Sequence, residues 1–241
     1  MKLLLKIAFV ILILMVLGTT FIAFKLYFKD EGNRDASLTF FATPRNDTLP
    51  FFRGKDLEAY WPEGVSERTA ARKVDPFLFK NQLGQNINQS HFQNRISIVS
   101  FFFARCHGIC PNIVRNLKFV QSAYLKDNLV QIVSYSVTPD LDTPEELSKF
   151  AEQKGIFASK WNLLTGDREE IFKIARNTFQ ADTNTIKKNP TQDFVHSEQI
   201  FLIGPDLTFR GVYNGNKSDS VKTLIEDIKI LERETNPKTG G

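Results

Sequence analysis

Both cysteines of this 241-residue chain, Cys106 and Cys110, stand four positions apart in "FFFARCHGICPN". A structural disulfide is the plain use for such a pair, and on a helix this spacing puts the two α-carbons about 6 Å apart, within bonding range. A disulfide stabilises chiefly by closing a loop, however. A five-residue loop yields only about 2 kcal/mol in the chain-entropy picture, against nearly 5 for about a hundred residues. Two buried thiols packed as small apolar groups are the other plain use. Both uses leave unexplained why the thiols sit together beside Arg105 at the start of a helix, where backbone N–H groups and a cation are expected to lower a thiol's pKa. A functional dithiol is therefore the better reading. Two such sulfurs can exchange disulfides or hold a soft metal, and spacing alone leaves both open, although CxxxC has a wider bite than CxxC.

The elements around the pair follow from pattern. "ISIVSFFF" (Ile96 to Phe103) is an unbroken apolar and β-branched run, as in a strand buried on both faces. A helix follows, with Pro111 in its first turn and Ile113, Leu117, Val120 and Tyr124 on one face. "LVQIVSYSV" is the next strand. "DTPEEL" opens a helix with Thr143 as cap, Pro144 in first position and Glu146 closing a capping box, and Gly155 ends it. "WNLL" is a short strand, "REEIFKIARNTF" an amphipathic helix, and 180–193 a polar loop. "QIFLI", "GPD" and "TFRGVY" form a hairpin, and a last helix buries Val221, Leu224, Ile225 and Ile228. This order predicts an α/β, thioredoxin-like fold: a mostly parallel central sheet with an antiparallel hairpin and helices on both faces.

In such an order the loop before the hairpin lies against the cysteine-bearing loop. A thioredoxin has a cis-proline there; this chain has Val195 and His196, with the nearest upstream proline at Pro190. His196 would complete a set of two Cys and one His, a soft, low-coordinate site suited to Cu(I) and adaptable to Cu(II). The competing assignment for a single histidine is an ordinary surface or core residue.

"FFFARCHGICPN", "SYSVTPDLDTPEEL", "WNLLTGDREEIFKIA" and "DFVHSEQIFLIGPDLTFRGVYNG" together resemble the successive blocks of the Sco (SenC) proteins, over roughly residues 74 to 233. The resemblance implies a membrane-tethered thioredoxin-fold protein on the extracytoplasmic side. It also implies one copper bound per chain by Cys106, Cys110 and His196, and service to the dinuclear copper centre in the copper-binding subunit of cytochrome c oxidase. Two departures stand out. The family commonly has an acidic residue where this chain has Thr138; Asp140 or Asp142 could substitute, unless both simply cap the following helix. His107 lies between the cysteines, as an extra ligand or a solvent-facing residue. His91 is expected to be ordinary surface, and the methionines, Met1 and Met15, leave no thioether for copper in the folded part.

The N-terminus, "MKLLLKIAFVILILMVLGTTFIAFKLYFK", carries no charge from Ile7 to Phe24, about 27 Å as a helix, with Lys6 and Lys25 flanking it. No small-x-small cleavage site follows, so an uncleaved anchor is expected rather than a signal peptide. Lys2, Lys6, Lys25 and Lys29 fall in this segment without any Asp or Glu. Removing these four from 31 basic residues leaves 27 against 27 acidic ones, a neutral remainder with no nucleic-acid footprint.

The expected organisation is an anchor at 1–29, a tether and extension at 30–72, the copper-binding domain at 73–234 and a flexible tail at 235–241. The chain would be single-pass in the inner membrane with its domain in the periplasm. The expected activity is that of a copper metallochaperone kept competent by a thiol reductant. The alternative from another class is a thiol–disulfide oxidoreductase or redox sensor in which Cys106 and Cys110 are the redox-active pair.

Overall fold

The computed structural model describes residues 47–106, 108, 110–181 and 198–235. Its strands, in chain order, are β1 (Phe51–Arg53), β2 (Glu58–Tyr60), β3 (Leu78–Asn81), β4 (Asn86–Asn88), β5 (Ile96–Phe102), β6 (Val130–Ser136), β7 (Trp161–Thr165), β8 (Gln199–Ile203) and β9 (Phe209–Asn214). Four longer helices accompany them: α1 (Cys110–Ala123), α2 (Pro144–Lys154), α3 (Arg168–Lys173) and α4 (Ser218–Thr235).

All seven residues of β5 are buried, which explains why its sequence shows no alternation. The pleat still sorts them. Ile96, Ile98 and Phe102 join the core under α1, α2 and α4, while Val99 and Phe101 face a second, aromatic core under α3 with Tyr135, Phe179 and Phe201. Helices thus cover both faces, as expected.

The sheet order is β4-β3-β7-β6-β5-β8-β9. Among the described residues only the β5–β6 and β6–β7 pairings are parallel, so the expectation of a mostly parallel sheet is corrected to a mixed one. The β8–β9 hairpin is present, and a second hairpin, β3–β4, closes the other edge and pairs antiparallel with β7. Its turn is built by Asn81, whose Oδ1 accepts from the N–H groups of Leu83 and Gln85 at 3.0 Å each.

The helix ends are made by local chemistry. Thr143 Oγ1 accepts from Glu146 N–H, Pro144 takes the first turn, and Gly155 closes α2 at φ 65°, a left-handed conformation that glycine adopts without Cβ strain. The Glu146 carboxylate lies on Lys149 Nζ at 2.8 Å, so it serves the next turn. Asp167 caps α3 by accepting from Glu170 N–H. α3 then widens into a π turn, Ile174–Thr178, in which Phe179 N–H reaches Ile174 O at 3.1 Å. The wide turn lets Ile174, Ala175, Thr178 and Phe179 all be buried.

The small β1–β2 hairpin packs Phe52 and Leu57 onto the aromatic core. Ahead of it, Leu49 and Pro50 are held by Arg210 of β9 and Glu234 of α4. Among the described residues no helix is long and apolar enough to cross a membrane; the expected anchor, 1–29, the rest of the chain before residue 47, and the tail beyond 235 lie outside them.

Candidate metal centre

β5 ends at Phe102 and α1 begins at Cys110, so a seven-residue loop at the C-terminal end of β5, an inner strand of the sheet, carries Cys106. Three kinds of contact fix that loop. Its start is continuous with the sheet through Val137 N–H donating to Phe102 O at 2.9 Å. Within it, Cys106 N–H donates to Phe103 O at 3.2 Å, and Gly108 N–H donates to Cys106 Sγ at 3.3 Å. Beneath it lies Asp142, whose Oδ2 accepts from Ala104 N–H at 3.1 Å, Ser136 Oγ at 2.6 Å and Thr138 Oγ1 at 2.9 Å.

Neither Cys106 nor Cys110 is in a disulfide. Cys110 is buried among Phe102, Ile113 and Val114, and Cys106 is partly buried against the same cluster. Burial pushes the Cys110 thiol up to about 12; a contact with the Phe103 backbone opposes the rise, and the adjacent Cys106 thiol adds to it. This corrects the expectation that helix start and Arg105 would lower the pKa at this position. Desolvation of a thiolate outweighs both influences. The Arg105 side chain, 57% exposed, lies 3.9 Å from Glu146 instead.

α1 is aimed by two asparagines. Asn112 Nδ2 donates to Asn216 Oδ1 at 3.0 Å, and the buried Asn116 donates to Gly215 O at 2.8 Å. Gly215 N–H donates in turn to Glu198 O at 2.6 Å. These residues tie the cysteine-bearing helix to the β9–α4 turn and to the start of β8. Sequence reasoning missed them, yet the signal was present: Asn116 is a polar residue on the buried face that carries Ile113, Leu117 and Val120.

The remaining candidates separate. Asp140 pairs with Arg168 at 2.8 Å on the surface. Asp142 is 1% exposed and sits under the cysteine loop, while Thr143 does the helix capping; the capping assignment for these two aspartates is thereby corrected. His91 is half-buried and not plain surface: its Nδ1 takes part in a capping box with Asn88, and its carbonyl accepts from Gln131 Nε2 at 2.6 Å. His196 and His107 lie outside the described residues. Among the described residues no group of three His, Cys, Asp or Glu side chains is placed to hold a metal. What the described residues supply is two adjacent sulfur donors in an apolar wall with one face to solvent. That donor set fits a soft, low-coordinate ion such as copper and does not fit a hard cation, which needs several oxygens.

A family model, SCO1/SenC, matches residues 65–232. The SCO1 protein homolog of Bacillus subtilis (strain 168) is 32% identical over 160 residues, covering 65% of this chain and 81% of that protein. The structure of BsSco, described as a member of the Sco family of cytochrome c oxidase assembly proteins with a disulfide switch, superposes with a TM-score of 0.56 at 31% identity. That match covers 66% of this chain and 93% of BsSco. Arabidopsis thaliana ScoI, solved with copper bound, gives a TM-score of 0.54 over 67% of this chain and 98% of that one. At 23% identity this likeness speaks for the fold alone.

Proposed function

The chain belongs to the SCO1/SenC family, and from that premise we propose that it is a copper metallochaperone for cytochrome c oxidase. It would hold one copper ion per chain through Cys106, Cys110 and His196 and pass it to the copper-binding subunit of the oxidase. The observation that carries this is the pair of thiols, not joined in a disulfide, where β5 hands over to α1, one partly exposed and one buried. Strand register supports the third ligand. Ile200 lies opposite Ser100, so the chain enters β8 at the end of the sheet where the cysteine loop leaves β5. Glu198, two residues after His196, is already hydrogen-bonded to the turn that Asn116 holds.

The thiolate is the ligand, so the proton must leave Cys110 before its sulfur can bind. The apolar wall keeps competing water off the inner sulfur, and Cys106 is the point of entry and of transfer to the partner. A thiol reductant keeps the pair open, since a disulfide between them removes both donors. The hydrophobic segment 1–29 would anchor the chain in the inner membrane, with 30–72 as tether and extension, 73–234 in the periplasm as the copper domain, and 235–241 as tail.

Anaerobic titration of the reduced protein tests this reading. It should take up one copper per chain, and because the Cys110 thiol stays protonated to about 12, affinity should fall as pH is lowered, with at least about one proton released per copper. A pH-independent affinity, or no uptake by the reduced pair, would contradict it.

A second reading, a thiol–disulfide oxidoreductase or redox sensor, is favoured by one observation: an accessible Cys106 over a buried Cys110 is also how an attacking thiol and a resolving thiol are arranged. That activity would survive His196→Ala, whereas copper retention would not.

A further inference from the structure

Asp142 is a carboxylate buried to 1% exposure directly beneath the cysteine loop, and the metal reading assigns it no part. Its hydrogen bonds are lopsided. Oδ2 takes three donors, from Ala104 N–H, Ser136 Oγ and Thr138 Oγ1, while Oδ1 is buried with no hydrogen-bond partner among the described residues. Leaving a carboxylate oxygen buried and unpaired costs free energy, and such a residue persists where the other oxygen has work that a neutral group does less well.

That work is spatial. Ala104 lies two residues before Cys106, whereas Ser136 ends β6 and Thr138 is the second residue of the β6–α2 connection. One oxygen atom thus fastens the cysteine loop to the neighbouring strand's exit. Thr138 also donates its N–H to Ser136 Oγ at 3.1 Å, so the Ser136 hydroxyl is itself oriented. Hydrogen bonds to an ionised acceptor are about twice as strong as neutral ones. A charged clamp of this kind limits how far the Cys106 backbone can move while Cys110 stays fixed at the head of α1.

We propose that Asp142 is the positioning residue of the cysteine loop, setting the separation of the two sulfurs by holding Ala104 N–H against the β6–α2 corner. The proposal deepens the copper reading and rests on it for its second readout only.

The test uses the reduced, metal-free chain and two variants, Asp142→Ala and Asp142→Asn. Amide hydrogen exchange is followed at Ala104 and at strand amides of Ile98, Ile132 and Ile200, alongside Cu(I) affinity. Asp142→Ala should speed exchange at Ala104 by about ten-fold or more, the worth of one charge-assisted bond, with the strand amides unchanged. It should also weaken Cu(I) binding by about ten-fold. Asp142→Asn keeps the shape and one carbonyl acceptor without the charge, and should restore only part of both. Wild-type exchange at Ala104 in Asp142→Ala would overturn the proposal. So would acceleration shared equally by all three strands, which would make Asp142 a fold-stabilising residue at large. If Asp142→Ala does not fold, Asp142→Asn decides alone: faster Ala104 exchange than wild type with the strand amides unchanged sustains the clamp, and wild-type exchange at Ala104 overturns it. If the wild type takes up no copper, the metal reading fails while the exchange pattern still decides the clamp.

Discussion

Replacing either cysteine by serine is expected to lower copper affinity by at least about 100-fold, the upper end of what losing even an outer-shell partner of a ligand costs. Serine is nearly isosteric but offers a hard, protonated oxygen in place of a soft thiolate, and a soft monovalent ion gains little from it. The two variants differ in what else they disturb. Cys106 is partly exposed and its backbone N–H bond to Phe103 O does not depend on the side chain, so Cys106→Ser should stay folded. Cys110 is 5% exposed, and a hydroxyl there needs a partner that sulfur did not, at a cost of about 1–3 kcal/mol if none is found. Because the two sulfurs are not joined in a disulfide, neither change removes a covalent cross-link. Isothermal titration beside thermal unfolding separates the effects: Cys106→Ser should lose affinity with its melting temperature unchanged. Affinity equal to wild type in Cys106→Ser would remove that sulfur from the site.

Glu234→Ala should be strongly destabilising although it is remote from the cysteines. Its carboxylate accepts from Arg210 Nη2 and from Leu49 N–H, both at 2.6 Å. Arg210, with its side chain 5% exposed, also donates to the carbonyls of Leu49 and Pro50 at 3.0 Å each and lies 4.1 Å over the Phe51 ring. Removing Glu234 leaves a guanidinium buried without its counter-charge and a backbone N–H without its acceptor. Breaking a buried pair from one side costs about 3–5 kcal/mol, which for a domain of this size lowers the melting temperature by roughly 10 °C. Arg210→Met together with Glu234→Leu should recover only part of that loss, because it removes the buried charge but leaves Leu49 N–H and the carbonyls of Leu49 and Pro50 without these partners. A loss below about 1 kcal/mol would class the pair with exposed ion pairs. The pair also fastens residues 49–51 to the last helix, so its loss should raise proteolysis near Leu49 before the sheet opens.

Elements whose chemistry is local were legible in the sequence. Ile96–Phe102 announced a strand buried on both faces, "DTPEEL" announced the start of α2, and the β8–β9 hairpin followed from its turn. The β3–β4 hairpin was not legible: Leu78 and Lys80 are exposed while Phe79 and Asn81 are buried, and an outward leucine with an inward asparagine hides the alternation. Missing it led to a mostly parallel sheet on paper and a mixed one in fact. The π turn at Ile174–Thr178 was hidden for another reason, since a period of 3.6 cannot register a single widened turn.

At the site, the two sulfurs were legible by type and spacing, but their depth was not. Arg105 stands next to Cys106 in the chain and yet turns to Glu146, and Cys110 is buried far enough that desolvation dominates its thiol. Asp142 reads in sequence like any aspartate ahead of a helix. Only the fold shows it facing the cysteine loop while Thr143 caps.

The most direct measurement is anaerobic copper titration of the reduced chain against its His196→Ala variant, with stoichiometry, affinity and the sulfur-to-copper charge-transfer band followed together. With the imidazole as third ligand, the wild type binds one copper per chain, and the variant loses about 100-fold or more in affinity and changes its spectrum, while the melting temperature of the metal-free protein stays the same. Unchanged stoichiometry, affinity and spectrum in His196→Ala would show that the two sulfurs hold whatever they hold without it, and would leave a dithiol protein in place of a copper carrier.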